Sequence, residues 1–589
     1  MPNGIKRTKQ ERNRIMNAKE MFRVWMDDPY YDDATKAELK EIEGNDMEIE
    51  ARFCRSLSFG TGGLRGILGA GTNRMNIYTV RKATQGLAEY ILEQKAEKKG
   101  VAIAFDSRNM SSEFAEEAAL TLAANKIRAY VFPSLRPTPM LSFAVRELGC
   151  TAGIVITASH NPKEYNGYKV YWEDGGQITA PKDREIIEKV NAVTEDAAVR
   201  TMTKDEAKAL GFYCEIGSEI DEKYYETLKK QVLCPEVLHR EAANIKIVYT
   251  PLNGTGSLPV QRMLKELGFT QTAVVKEQEM PDGNFSTVAS PNPEDAKAFA
   301  LALELAEETD ADLVLATDPD ADRLGMYAKD TAAGGYAAFT GNMIGMLILD
   351  YIVSRKKENG TLPADGAVVT TIVSGKMAKE LVKAYGMTLV ETLTGFKYIG
   401  EQIGRFERED RYRYVFGYEE SYGCLAGTYA RDKDAVSAAS MLCEAAAYWK
   451  SLHMTLVERM EQLYEMYGYF KEDLRTVKLK ETDGVKQAAE IIEGIRNRIP
   501  KQVCGQNVTE FRDYREDLRL HMASGRRTKT GLPKSNVLYF ELEDASWFCI
   551  RPSGTEPKIK FYAGVKGSSH TDADEKLQAL MEAVERLAT

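Results

Sequence analysis

Eight cysteines in 589 residues, at positions 54, 150, 214, 234, 424, 443, 504 and 549, make no CxxC pair and have no histidine at zinc-finger spacing. That excludes a zinc finger and marks the thiols as reduced and partly buried rather than a disulfide framework. No run approaches about 18 uninterrupted apolar residues, so no membrane span is expected. The most apolar helix-like stretch, 435–449, is Ala-rich and broken by Ser and Glu, which suits a buried core helix. The start, MPNGIKRTKQERNRIM, is basic but has no apolar h-region, so no signal peptide is expected. Excess positive charge is missing too: the net charge is −10, which excludes a nucleic-acid footprint. A small anion can still bind in a local cationic pocket. There is no GxxxxGK[ST] loop, and the Gly-rich FGTGGLRG (59–66) lacks dinucleotide spacing, though its glycines would let backbone N–H groups approach an anion beside Arg65. These absences point to a cytoplasmic protein that binds neither nucleic acid nor membrane; the sequence does not fix its oligomeric state, and a monomer is the default expectation.

With 43% hydrophobic and 28% charged residues, the chain is ordinary for a globular protein, and its length calls for several domains. The N-terminal stretch to about residue 50 has a helical pattern, with an Asp-Pro turn in WMDDPYYDDATKAELKEI and a helix start near Asp33 or Thr35. Three later segments share one plan of apolar strand, polar turn, helix and second strand. They begin at VAIAFDSR (101–108), IKIVYTPLNGTG (245–256) and AVVTTIVSG (367–375). This alternation predicts parallel sheets with crossover helices in three related α/β domains. The tail, NVLYFELEDASWFCIRPSGTEPKIKFYAGV, alternates apolar and polar residues as half-buried antiparallel strands do, so a smaller α+β domain closes the chain. The expected divisions are 1–215, 216–335, 336–465 and 466–589.

Ligands of open α/β sheets gather at the carboxyl ends of the strands, and four polar tips there carry chemistry. GIVITASHNPKEYNG (153–167) places Ser159 after a buried strand. Its neighbour His160 would point to the opposite face of an extended chain, so it is not placed as a base for Ser159. Lys169 follows in the next strand, where it could equally be an edge-strand lysine. DLVLATDPDADRLG (312–325) ends a strand in Asp318, Asp320 and Asp322, which extended geometry would set on one face. Three carboxylates repel unless a cation sits between them, and oxygen-only ligands suit Mg2+. An EF-hand fails because Arg323 and Lys329 stand where Gly and Glu are needed, and a phosphatase of the DxDx[TV] type fails at Asp322. YVFGYEESYGCLAG (414–427) offers Glu419, Glu420 and Ser421 to sugar hydroxyls. RPSGTEPK (551–558) offers Arg551, Ser553, Gly554 and Thr555 to a phosphate.

In this order, TASHNP, DPDADR, GYEESYG and RPSGTEPK resemble the phosphoserine, metal, sugar and phosphate loops of the α-D-phosphohexomutase superfamily, over nearly the whole chain. The resemblance implies four domains, a phosphorylated Ser159, and one Mg2+ shared by Ser159 with Asp318, Asp320 and Asp322. It places Lys169, His160 and Arg65 as candidates for proton transfer and charge stabilisation. It gives Thr61, Arg323, Lys397, Glu419 and Ser421 to the substrate, and Arg551, Ser553, Gly554 and Thr555 to the phosphate that does not react. The implied reaction interconverts glucose 1-phosphate and glucose 6-phosphate, with glucose 1,6-bisphosphate as intermediate and activator. The Glu-Glu-Ser form of the sugar loop resembles glucose-preferring members, whereas WMDDPYYD and FGTGGLRG resemble the branch that includes phosphopentomutases and glucose-1,6-bisphosphate synthases. Ribose and mannose phosphates therefore remain alternative substrates, and a noncatalytic sugar-phosphate-binding protein a remoter one.

Overall fold

A computed structural model describes residues 17–60, 62–194, 198–479, 484–552 and 558–587. Three short helices, Ala18–Asp27, Asp33–Glu41 and Asp46–Phe53, open it, each N-capped by an Asn or Asp side chain (Asn17, Asp32, Asn45). Their apolar faces meet in a small aromatic core in which Trp25 stacks on Tyr31 with ring centroids 4.2 Å apart.

The first sheet holds β1 (Gly63–Ile67), β2 (Val101–Phe105), β3 (Ala129–Val131), β4 (Ala152–Ile156), β5 (Tyr165–Trp172) and β6 (Tyr213–Glu215), in the order β1-β5-β4-β2-β3-β6. β1, β4, β2, β3 and β6 all run in one direction, and β5 alone is reversed, antiparallel to both of its neighbours β4 and β1. β2 and β4 read as unbroken apolar runs because helices such as Ser111–Ala124 and Thr138–Glu147 bury the sheet.

The second sheet, in the order β11-β10-β9-β7-β8, is built from β7 (Lys246–Thr250), β8 (Gln271–Val274), β9 (Leu313–Thr317), β10 (Leu324–Lys329) and β11 (Tyr336–Phe339). The third runs β13-β12-β14-β15, from β12 (Gly366–Thr371), β13 (Thr388–Thr392), β14 (Arg413–Glu419) and β15 (Gly423–Ala426). Each repeats the parallel strand-helix-strand unit expected from the sequence. The Ala-rich helix Ala435–Ser451 is buried along almost its whole length. Its small side chains let other elements pack closely around it, and it lies in the largest apolar core, which draws residues from all three of these sheets.

The tail is different, as its alternation predicted. β16 (Tyr469–Lys478), β17 (Gln502–Val503), β18 (Gln506–Asp513), β19 (Leu518–His521), β20 (Arg527–Thr528), β21 (Leu538–Leu542), β22 (Trp547–Pro552) and β23 (Lys558–Gly567) pair antiparallel, with helix His570–Arg586 packed on them. The fold is three α/β layers with mixed sheets and a C-terminal α+β unit. Among the described residues, no helix is long and apolar enough to cross a membrane.

Candidate active site

β4 is buried at all five positions and delivers the chain to Ser159, itself 3% exposed. Ser159 adopts a left-handed backbone, φ +52°, and its N–H donates to the Thr157 hydroxyl at 2.8 Å. This kink corrects the expectation that Ser159 and His160 face opposite ways. Alternation holds only on extended chain, and here His160 Nδ1 lies 3.1 Å from Ser159 Oγ. Ser159 Oγ also donates to Asp318 Oδ2 at 2.7 Å. Burial, reinforced by Arg323 and Arg65, pushes the His160 imidazole well below its ordinary value.

The three aspartates meet, but by a different route from the one their spacing suggested. β9 stops at Thr317, and the chain then turns: Ala321 N–H donates to the Asp318 carbonyl at 2.9 Å, and Ala321 has φ +48°. Asp318 Oδ1 accepts from the N–H groups of Asp322 (3.1 Å) and Arg323 (3.0 Å). Pro319 is approached so closely by the PLNGTG turn after β7 that a Cβ on Gly254 would lie 2.5 Å from its Cα. One carboxylate oxygen from each aspartate falls within 4.8 Å of the others, and all three residues are buried. Asp320 Oδ1 and Asp322 Oδ1 accept no hydrogen bond among the described residues. Orphaned, buried anionic oxygens in one oxygen-only cluster are the donor set of a hard divalent cation, so the residues present fit the ion inferred from the sequence. Their protonation carries the same strain: burial and then Asp320 and Asp322 hold the Asp318 carboxyl well above the usual carboxylate range. Burial also raises Asp320, but Lys169 outweighs it and draws that carboxyl below the range.

Lys169 is not an edge lysine. β5 lies between β1 and β4, and Lys169 Nζ donates to Asp320 Oδ2 at 2.8 Å and lies 3.6 Å from Asp322 Oδ2. Arg65 stands on β1, opposite Gly167 of β5, and donates to the Asn161 side chain at 3.2 Å. β1 can dock there only because Gly63 has no side chain: a Cβ would lie 1.8 Å from the Tyr168 carbonyl oxygen.

Two groups that sequence reasoning missed complete the cluster. The Thr138 hydroxyl donates to Asp320 Oδ2 at 2.9 Å. Lys433, from the turn after β15, places Nζ 2.9 Å from Asp322 Oδ2 and 4.0 Å from Glu419 Oε1. A signal for Lys433 was available: RDKD (431–434) is a polar tip between an apolar strand and the buried helix that Asp434 caps.

β14 carries Glu419 at its end, buried, with Ser421 two residues on. The metal and sugar loops are joined where Leu324 N–H donates to the Tyr422 carbonyl at 2.9 Å. Burial, then Glu419, push Glu420 up to about 7, and Glu420 accepts from the Thr371 hydroxyl at 2.9 Å. Arg323 turns its guanidinium to Glu294. Lys397, at the start of helix Phe396–Glu409, is pushed down by burial and by the nearby Arg551, although Asp183 and Glu401 oppose this. Arg551 itself stands near the end of β22. Thr61, Ser553, Gly554 and Thr555 lie outside the described residues.

The geometry agrees with what comparison finds. Four models of phosphoglucomutase/phosphomannomutase match in order: α/β/α domain I at residues 56–197, domain II at 222–334, domain III at 340–467 and the C-terminal domain at 477–582. A phosphoglucomutase of Staphylococcus epidermidis is 37% identical over 513 residues, covering 87% of this chain and 91% of that protein. Among solved structures, Paramecium parafusin, a phosphoglucomutase in its open form, superposes with a TM-score of 0.65 at 16% identity, covering 90% of this chain and 95% of its own. The N-acetylphosphoglucosamine mutase of Aspergillus fumigatus, solved with GlcNAc-6P and magnesium, gives 0.50 at 14% identity, covering 91% and 97%. With each of the four domains in its place and over a third of residues shared with a full-length relative, this chain belongs to the phosphoglucomutase/phosphomannomutase family.

Proposed function

We propose that the protein is a phosphoglucomutase that interconverts α-D-glucose 1-phosphate and glucose 6-phosphate through a phosphorylated Ser159 and glucose 1,6-bisphosphate. One observation carries this reading: Ser159 Oγ lies 2.7 Å from Asp318, in a buried cluster with orphaned carboxylate oxygens and two lysines. Asp318, Asp320, Asp322 and a Ser159 phosphate oxygen would hold one Mg2+, which when bound would neutralise charge on the transferring phosphoryl group.

In one half-reaction the bond from phosphorus to Ser159 Oγ breaks as a bond to O6 of glucose 1-phosphate forms. O6 loses a proton and Oγ gains one, so the proton count is unchanged. His160 Nδ1, beside Oγ, and Lys169 are the groups at hand to carry that proton. The bisphosphate then reverses its orientation, and Ser159 Oγ takes the phosphoryl group from O1, leaving glucose 6-phosphate. Lys433 and Arg65 add positive charge around the phosphoryl group. Arg323, Lys397, Thr61, Glu419 and Ser421 bind the substrate, with Glu419 and Ser421 reading the sugar hydroxyls, while Arg551, Ser553, Gly554 and Thr555 grip the phosphate that stays. Closure must exclude water, since phosphoserine would otherwise hydrolyse. The four functional units are drawn at 1–215, 216–335, 336–465 and 466–589, working in the cytoplasm as a monomer on a small sugar phosphate.

The test is mass spectrometry of the purified enzyme. A fraction about 80 Da heavier, with the phosphate mapped to Ser159, is expected, and Ser159→Ala should remove both the added mass and the mutase activity. Full activity in Ser159→Ala, or phosphate only elsewhere, would overturn the assignment.

A further inference from the structure

The loop that carries Ser159 bends through a left-handed serine, which costs a non-glycine residue free energy and persists only where its surroundings enforce it. What enforces it lies behind the loop. Arg108, at the polar end of the VAIAFDSR segment, has a fully buried side chain. Its Nη2 donates to the Ser159 carbonyl at 2.5 Å and to the Asn161 carbonyl, and its Nη1 donates to the carbonyls of Pro162 (2.9 Å) and Tyr165 (3.1 Å). Four carbonyl oxygens of one loop thus converge on one guanidinium. Asp106 balances the charge, with Oδ2 3.3 Å from Arg108 Nε, and Oδ1 accepts from the Arg108 N–H and from the Ser111 hydroxyl (2.7 Å). From the other side the second unit closes over the arrangement. The Phe285 ring lies 5.0 Å from the Arg108 guanidinium, and the Ser290 hydroxyl donates to the His160 carbonyl at 2.7 Å.

We propose that Arg108 is a positioning residue for the phosphoryl transfer: it draws the loop's carbonyl oxygens back onto its own fork and so fixes the kink that presents Ser159 Oγ to the acidic cluster. The inference rests on the reading of Ser159 as the phosphoryl carrier. Carbonyl oxygens left free to turn forward would meet a phosphoryl group of charge about −1.5 to −2, whereas Arg108 aims them away and sets a positive charge behind the loop. The two Nη groups of a planar guanidinium can serve four carbonyls at once while Nε faces the Asp106 carboxylate as an ion pair; a lysine ammonium, with three donors, cannot serve four carbonyls. Arg108 touches no substrate, so its effect belongs in kcat rather than in KM.

The experiment compares wild type, Arg108→Lys and Ser290→Ala by circular dichroism, thermal midpoint, kcat, KM for glucose 1-phosphate and Ser159 phosphate occupancy by mass. Arg108→Lys, folded, should lose about 100-fold in kcat, the scale of an ångström-sized misplacement at a reacting centre, with KM within about twofold of wild type. Ser290→Ala should lose roughly 3- to 10-fold in kcat by the same route, one hydrogen bond being worth about 1 kcal/mol. A folded Arg108→Lys enzyme with wild-type kcat, or one whose loss appears in KM, overturns the proposal. If Arg108→Lys does not fold, Asp106→Asn, which removes the counter-charge of the Arg108 guanidinium while keeping an acceptor for the Arg108 N–H and the Ser111 hydroxyl, is measured in its place, and unchanged kcat there overturns the proposal. Absence of phosphate on Ser159 in the wild type would instead overturn the phosphoserine reading on which this rests.

Discussion

At the Ser159 end of the molecule, a serine, three carboxylates and two lysines are buried together and hold one another at 2.7 to 3.6 Å. Where the C-terminal sheet meets the third unit, aromatic and apolar contacts stand beside a few hydrogen bonds. Ile372, Val373 and Leu393 pack against Tyr514, Tyr539 and Trp547. Tyr539 stacks on Trp547 with centroids 5.6 Å apart, Lys376 Nζ lies 5.4 and 5.3 Å from the two rings, and Arg512 lies 4.7 Å from the Tyr539 ring. Directional bonds between buried charges fix atoms to fractions of an ångström, as bond-making requires. Apolar and cation–π contacts are far less directional. Under the proposed function the contrast is a division of labour: the buried cluster would hold the reacting atoms, and the C-terminal unit would bring the grip on the phosphate that stays. Damage at the first end should therefore appear in kcat, and damage at the second in KM.

The comparison breaks most sharply at the acidic cluster. Asp320→Asn removes one of the charges that Lys169 and the orphaned oxygens imply a cation needs. A cation at a developing phosphoryl charge supplies several kcal/mol, so kcat should fall by at least about 100-fold. Asp318→Asn and Asp322→Asn should do the same, and double substitutions should add little, because the ligands share one ion. Chelation should stop turnover and Mg2+ restore it. Turnover undiminished in excess chelator would remove the cation from the account.

Arg551→Ala sharpens the other side. A mutase must take its substrate in two opposite orientations, so a grip on the unreacting phosphate has to serve both. Losing a hydrogen bond to a charged group costs about 1.5–3 kcal/mol, which is roughly 10- to 150-fold in affinity. KM for glucose 1-phosphate and for glucose 6-phosphate should rise by similar factors, with kcat much less affected. A rise confined to one of the two sugars would mean that Arg551 reads the sugar and not the phosphate.

The strands and the polar tips could be read from the sequence because fully buried strands leave unbroken apolar runs, and a polar residue ending such a run has few reasons to be there. Ser159, the aspartates and Glu419 were legible for that reason. The conformations of the tips were not. The left-handed Ser159 depends on Arg108, some fifty residues away in sequence, so the alternation rule misplaced His160. The aspartates converge through a turn braced by Asp318 Oδ1 and pressed by Gly254, which no local period encodes. Lys433 and Thr138 reach the cluster from other units, and only the packed fold shows that they arrive. Of the RPSGTEPK motif, residues 553–557 lie outside the described residues.

The smallest expected effect lies at the junction itself. Glu472, on β16, accepts from the Asn342 side chain at 2.9 Å, and Asn342 in turn accepts from the Gly375 N–H at 3.0 Å. The first strand of the C-terminal sheet is thereby keyed to the third unit, with a carboxylate oxygen only 2.8 Å from where a Cβ on Gly375 would stand. Burial pushes the Glu472 carboxyl from 4.5 up to about 7, against the opposing pull of Asn342 and Lys376. The folded protein therefore keeps this proton up to near pH 7, whereas the unfolded chain releases it near 4.5. The group's contribution to stability is complete below pH 4.5 and is lost as pH rises through about 7. Glu472→Gln keeps the shape and an acceptor for Asn342 but has no proton to lose. Between pH 6 and pH 8 the wild-type thermal midpoint should fall relative to that of the variant by about 2 °C, the shift that ~1 kcal/mol produces in a large domain. At pH 4.5 the two proteins should melt together, and kcat at pH 7 should be the same in both, since Glu472 touches none of the reacting groups. Midpoints that run parallel across the whole range would show that the junction is indifferent to this carboxyl, and would leave the aromatic contacts as what holds the C-terminal sheet to the third unit.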